Sequence, residues 1–243
     1  MRPLHIIMPM AGEGSRFLKN GWITPKPLIM LNGQPLFKHA ISSVTDNEIP
    51  MKYSFIVRQE HIDKYDIDKQ IYSLLPEANV FSVEKTTRGA VETCLIAEPM
   101  INDEDGIIIM DCDLEFRSKD FMKNIREMLS VPVTKAKGGA LVSFKSNEPR
   151  YSYASIDEKG NVTRTAEKEV ISNHALCGAY FFSLGKRFKE IAHKLLNEKE
   201  FKKPEYYVSL LFNYLLADGE KVRLSEIEEY YSYGTPEELK CFL

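Results

Sequence analysis

The chain has 243 residues, 44% hydrophobic and 28% charged, which is ordinary globular usage and enough to bury a sizeable core. A formal net charge of −3 gives no basic field that would gather nucleic acid, so any phosphate site must be local. The four cysteines (Cys94, Cys112, Cys177, Cys241) form no CxxC pair, which argues for buried thiols over a zinc site or disulfide framework. No apolar run approaches the roughly 20 residues of a membrane-spanning helix. The opening LHIIMPM is unlike a signal peptide, and the final KCFL lacks a prenylation pattern. The expectation is a soluble, cytoplasmic chain with no nucleic-acid or membrane partner, and nothing in it specifies an oligomer.

The first strand is predicted over His5–Met10 and runs into the loop Ala11-Gly12-Glu13-Gly14-Ser15-Arg16. Glycines let that loop turn sharply and bring backbone N–H groups onto one spot, which attracts phosphate oxygens. Arg16 can fork two hydrogen bonds to a phosphate, and Lys26 in TPKPLI adds a compact mobile charge. The loop is neither a Walker A nor a GxGxxG, and taken alone it reads equally well as a turn rich in small residues.

Further strands are predicted at Tyr53–Arg58, Asn79–Glu84, Gly106–Asp111 and Gly139–Lys145. Helices at Pro35–Val44, His61–Leu75, Gly89–Met100 and Ser118–Leu129 separate them. That alternation predicts right-handed βαβ units and a mostly parallel sheet, with ligands at the carboxyl ends of its strands. Asp111 and Asp113 in IIIMDCD stand at such an end, where alternate residues point the same way and offer hard oxygen ligands. A helix cap in a solvated loop is the plainer reading of that acid pair. Beyond Pro149 come a hairpin through YASIDEKGNVTRTAEK, a strand at CGAYFFSL, and helices over Lys186–Leu196 and Glu205–Leu216. A strand at Val222–Ile227 and a short helix opened by Pro236 follow. One domain is expected, residues 1–145 binding nucleotide and residues 146–243 binding an acceptor and completing the sheet.

Taken together, MPMAGEGSRF, TPKPLI and NGQPL resemble the sugar-phosphate nucleotidyltransferases, also called nucleotide-sugar pyrophosphorylases. The likeness continues through GIIIMDCD, AEK, CGAYFF and YGTPEEL, and is to the small bacterial surface-polysaccharide or capsule-locus type. It implies a doubly wound, single-domain α/β fold, Mg²⁺, and transfer of a nucleotide from an NTP to a small phosphorylated acceptor. Pyrophosphate leaves in that reaction. It also implies roles for particular residues. Gly12, Gly14, Ser15 and Arg16 would cradle the β- and γ-phosphates, with Met10, Ala11, Thr87, Gly89, Ala90 and Asp111 completing the nucleotide site. Lys26 would stabilise charge at the α-phosphate, and Asp113 would hold the metal. Glu167, Lys168 and Gly178 would meet the acceptor.

Two departures from the family pattern matter. The usual second metal ligand is an aspartate where this chain has Ser232, so Mg²⁺ would rest on Asp113 and phosphates, on help from Asp111 or Glu229, or activity would be weak. Glu169 also replaces the proline that commonly follows the lysine. The base-reading glutamine of many relatives is replaced by Glu84. Its acceptor-only carboxylate suits the amine of cytosine, then guanine, better than uracil or thymine. A strand end in solvent explains Glu84 equally well. The default acceptor is a sugar 1-phosphate, with phosphocholine- or phosphoglutamine-like acceptors as an alternative. A glycosyltransferase using Asp111-Cys112-Asp113 is the rival class, but it has no need of Lys26 or a triphosphate loop.

Overall fold

Strand β1 (Leu4–Met10) is apolar on both faces, Ile6, Met8 and Met10 entering one hydrophobic layer and Ile7 the other. Two-faced burial suits the middle of a parallel sheet that is covered on both sides. The computed structural model, which describes residues 1–243, places β1 there. Helix α1 (Ser15–Lys19), a small hairpin of β2 (Met30–Leu31) and β3 (Gln34–Pro35), and helix α2 (Leu36–Ser42) follow. Strand β4 (Met51–Arg58) lies parallel to β1, and helices α3 (Gln59–Tyr65) and α4 (Ile67–Leu74) lead to β5 (Asn79–Val83) outside it. Helix α5 (Ala90–Leu95) returns the chain to β6 (Gly106–Met110), parallel to β1 on its other side. The winding therefore reverses between β1 and β6, and a crevice opens at their carboxyl ends.

Strand β7 (Leu114–Arg117), helix α6 (Lys119–Ser130) and strand β8 (Gly139–Lys145) come next. A hairpin of β9 (Ser152–Ile156) and β10 (Val162–Glu167) precedes β11 (His174–Phe182), which runs antiparallel between β6 and β8. Helices α7 (Gly185–Leu196) and α8 (Leu211–Ala217) and strand β12 (Val222–Glu226) complete the main sheet. Strand β13 (Glu229–Ser232) pairs with β7, and α9 (Pro236–Lys240) ends the chain.

Ile108 and Met110 share a core with Phe37 of α2 and Phe121 of α6, while Ile107 and Ile109 pack with Val91, Phe188 and Phe212 of α5, α7 and α8. A third cluster joins Phe17 of α1 to Tyr233 and Leu239, so the two ends of the chain meet beside the crevice. No helix is long and apolar enough to cross a membrane. Cys94, Cys112 and Cys177 are buried thiols, and Cys241 is exposed.

The structure corrects the expected elements at several points. The helix expected over His61–Leu75 is two helices, broken at Asp66, whose φ of +49° suits a short polar side chain. The one expected over Gly89–Met100 stops at Leu95 and ends in a 3₁₀ turn holding Pro99, which has no N–H to continue an α-helix. The helix expected from Glu205 begins only at Leu211, after a 3₁₀ turn. Strands expected to reach Glu84 and Asp111 end one residue earlier, at Val83 and Met110. The pair β7 and β13 was not expected from the sequence pattern.

Candidate active site

The loop after β1 presents the first part of the site. Gly14 adopts φ +62°, which starts α1 in the turn that a Cβ would disfavour. The N–H groups of Gly12, Glu13 and Gly14 donate to no protein acceptor, and those of Ser15 and Arg16 open the helix without an intrahelical partner. Five successive donors and the unpaired guanidinium of exposed Arg16 thus line one wall. On the outer side the loop is pinned: Thr86 Oγ1 donates to Glu13 at 3.2 Å, and Arg58 reaches the Ala11 carbonyl at 3.4 Å.

Pro25 and Pro27 set Lys26 in a 3₁₀ turn whose fixed φ values aim the side chain across the crevice. Its Nζ donates to Asp113 Oδ2 at 2.6 Å. Burial alone would push the ammonium down, but the Asp113 carboxylate outweighs it and holds Lys26 above its ordinary value. Asp111 is pushed up to about 7, first by burial and then by the charge of Asp113, with Lys26 opposing. Its carboxyl oxygens have no protein donor, although its N–H bonds the Gly178 carbonyl at 2.9 Å. Cys112 between them is no nucleophile, since burial pushes its thiol up to about 12.

Two carboxylates against one ammonium leave a hard, anionic oxygen set that fits a divalent cation such as Mg²⁺. No three Asp, Glu, His or Cys side chains close around a single point. An ion here would complete its shell with water and phosphate oxygens, as Mg²⁺ does.

Beyond the acid pair the crevice widens into a cleft of about 580 Å³ walled by β9–β11, Tyr207 and the start of α9. Glu167 is buried in its wall, its carboxylate accepting from Ser209 Oγ at 2.9 Å and from Ser152 Oγ. Lys168 adopts φ +55°, and its ammonium donates to Tyr207 Oη at 2.9 Å, behind the wall. Gly178 sits where β11 bulges, at φ +87°, and a Cβ there would overlap Asp111 Oδ2 and come within 2.8 Å of Leu114. Its missing side chain is the space that Asp111 occupies.

Of the residues singled out from the sequence, Gly12, Gly14, Ser15, Arg16, Lys26, Ala90, Asp111, Asp113, Glu167 and Gly178 share this cleft. Met10 faces a second chamber of about 330 Å³ behind the loop, and Ala11 is buried beneath it. Glu84, Thr87, Gly89 and Lys168 line neither chamber. Glu84 is exposed just past β5, and Thr87 bonds Thr93 at 2.6 Å. Gly89 is required by packing, since a Cβ would lie 2.5 Å from the Tyr206 nitrogen. Glu229 turns to Arg117 on the surface, 3.7 Å away, so it is not placed to assist the acid pair. Arg150, Tyr207 and Glu238 join the cleft without any local motif that announces them.

An α/β crevice with a glycine loop of free N–H donors, a half-buried lysine and an acid pair at the strand reversal has the architecture of a nucleotide-handling enzyme. The chain belongs to the nucleotidyl transferase family, whose model matches residues 5–230. Among solved structures it is similar to a nucleoside-diphosphate-sugar pyrophosphorylase from Vibrio cholerae RC9. That pair shares 24% identity, covers 98% of this chain and 99% of the other, and has a TM-score of 0.80. A putative glucose-1-phosphate thymidylyltransferase from Bacillus anthracis is 20% identical, covering 98% and 93%, with a TM-score of 0.75. The inositol-1-phosphate CTP transferase from T. maritima is 16% identical, covering 100% and 94%, with a TM-score of 0.73. No curated protein matches the chain significantly.

Proposed function

We propose that the protein transfers a nucleoside monophosphate from an NTP to a small phosphorylated acceptor, with a sugar 1-phosphate as the default. An acceptor phosphate oxygen attacks the α-phosphorus, the bond to the bridging oxygen breaks, and pyrophosphate leaves. The observation that carries this reading is Lys26, held at 2.6 Å from Asp113 between the phosphate loop and the wider cleft. A cation so placed stands where two anions must meet, and catalysis of phosphoryl transfer is chiefly positioning and charge neutralisation.

In this reading the loop N–H groups and Arg16 hold the β- and γ-phosphates. Lys26 stabilises the charge that develops as pyrophosphate departs. Glu167, with Gly178 leaving room, would receive the acceptor, and Lys168 would join it by turning from Tyr207 Oη toward the cleft. Asp113 would hold Mg²⁺, which when bound supplies charge neutralisation and orientation of the phosphates. The preference for CTP first and GTP second rests on the sequence reading of Glu84 alone, whose carboxylate would have to reach the base from outside both chambers. A role in surface-polysaccharide or capsule precursor synthesis, in the cytoplasm, follows from the sequence resemblance.

The test is pyrophosphate release from CTP, GTP, ATP, UTP and dTTP against sugar 1-phosphates, phosphocholine and phosphoglutamine. Release that requires both an NTP and a phosphorylated acceptor is expected. Cleavage of a finished nucleotide-sugar without pyrophosphate release would make the protein a glycosyltransferase instead.

A further inference from the structure

Glu167 is a buried carboxylate that no cation of the protein meets. We propose that the ligand supplies the missing charge: the acceptor carries a primary ammonium group as well as its phosphate, and Glu167 receives that ammonium in the cleft. This names an acceptor class for the reaction given under Proposed function and rests on that reading.

Glu167 is only 6% exposed, yet it lines the cleft. The two hydroxyls that reach it, from Ser152 and from Ser209 at 2.9 Å, both donate to the same oxygen, Oε2. Oε1 accepts from nothing in the protein and is open to the cleft. The cations nearby are committed elsewhere. Lys168 donates to Tyr207 Oη, and its ammonium lies 4.9 Å over that ring. Lys203 reaches the Glu167 carbonyl at 3.1 Å, not the carboxylate. Arg150, in the wall of the cleft, pairs with Glu148 and with Glu238, at 2.8 Å each.

A charge taken out of water is costly unless an opposite charge meets it, and two serine hydroxyls bring hydrogen bonds without charge. A further hydroxyl from a neutral sugar would leave the same deficit. An ammonium removes it and gives Oε1 a charge-assisted N–H donor. Tyr151, Tyr180, Tyr207 and Tyr230 line the same cleft, and aromatic faces attract a cation further. The two ends of the acceptor then meet unlike parts of the cleft, its phosphate toward Lys26 and its ammonium toward Glu167.

The plain alternative is a staple. Glu167 closes β10, and its Oε2 ties Ser152 of β9 to Ser209 in the turn before α8. An amide oxygen would accept from the same two hydroxyls, so a staple needs neither the charge nor the second oxygen.

The test is calorimetric binding of phosphate monoesters to the intact chain, which needs no turnover. Glucosamine 1-phosphate should bind about tenfold or more tightly than glucose 1-phosphate, the worth of one charge-assisted bond. N-acetylglucosamine 1-phosphate, which keeps the ring and loses the charge, should forfeit that gain. Phosphoethanolamine set against ethyl phosphate asks the same of an aminoalkyl acceptor, and the pair with the larger gain identifies the source of the amine. Glu167→Gln keeps the staple and removes the charge. It should bring glucosamine 1-phosphate down to the level of glucose 1-phosphate, whose own affinity stays within about threefold. Glu169→Gln, an exposed neighbour paired with Arg164, should change nothing. Should Glu167→Gln fail to fold, the amine and N-acetyl forms compared on the parent chain decide alone. No gain for either amine, or an equal loss of both sugar phosphates in Glu167→Gln, overturns the proposal. If neutral sugar phosphates release pyrophosphate as well as the amines do, this inference fails alone. If the amine gain appears but no NTP yields pyrophosphate, the proposed function fails instead.

Discussion

Gly178→Ala separates the cost of backbone strain from the cost of crowding Asp111. At φ +87° an L-residue is strained, by roughly 1–2 kcal/mol. The added methyl would also overlap Asp111 Oδ2 and press on Leu114 Cδ2 at 2.8 Å, an overpacking worth roughly 1–3 kcal/mol. Stiffening of the unfolded chain returns about 0.4–1 kcal/mol. The net destabilisation is about 3 kcal/mol, a fall in Tm of roughly 6–12 °C for a chain of this size. Gly160→Ala is the control. It has φ +78° but nothing within 4 Å of its Cβ, so only strain remains, about 1 kcal/mol or roughly 2–4 °C. Calorimetry on both variants, with turnover measured alongside, isolates the difference. Gly178→Ala should also lose turnover, because the methyl displaces the Asp111 carboxylate, whereas Gly160→Ala should not. Equal falls in Tm for the two variants would refute the idea that the bulge at Gly178 exists to house Asp111.

Lys26→Ala should lower kcat about 100- to 1,000-fold with little change in KM for NTP, since its charge is wanted chiefly in the transition state. A change confined to KM would leave Lys26 a binding residue only. Asp113→Asn should abolish turnover, as should EDTA, and near-normal rates in either case would remove Asp113 from the metal site. Lys168→Ala should raise KM for the acceptor about tenfold and spare NTP affinity, given one charge-assisted bond lost; an unchanged KM, or equal losses for both ligands, would leave Lys168 bonded to Tyr207 with no part in acceptor binding. Glu84→Gln should relax a preference for CTP or GTP of about ten- to hundredfold and admit UTP. An unchanged ranking of nucleotides, or a parent enzyme that prefers UTP or dTTP, would show that Glu84 does not read the base.

The central strands were legible because burial on both faces leaves a continuous apolar run, as in HIIMPM and GIIIM. The loop and Lys26 were legible because glycine and proline act on the backbone locally. What the sequence did not disclose depends on distant pairing. LEFR and EYYS are four residues each, with no strong alternation, and they become strands only against one another, Leu114 opposite Ser232 and Arg117 opposite Glu229. The break at Asp66 carries no glycine or proline to announce it. Glu84 was read as the end of a strand, and the strand stops one residue short of it.

The same non-local pairing decides what surrounds Ser232, a position that the sequence read in order shows only as a missing charge. A motif search compares one position with one expected residue, so a missing charge at 232 counts as a missing ligand. The fold compares positions in space. Once β13 docks on β7, the residues after Gly234 turn back as α9, and Leu239 and Tyr233 pack with Phe17 of the phosphate-loop helix. That small core brings the last turn of the chain against the first loop and carries Glu238 to the edge of the acid pair. Which side chains line the cleft is then a property of the assembled fold, and substitutions in Phe17 or Leu239 that loosen α9 should disturb the cleft without touching Lys26 or Asp113.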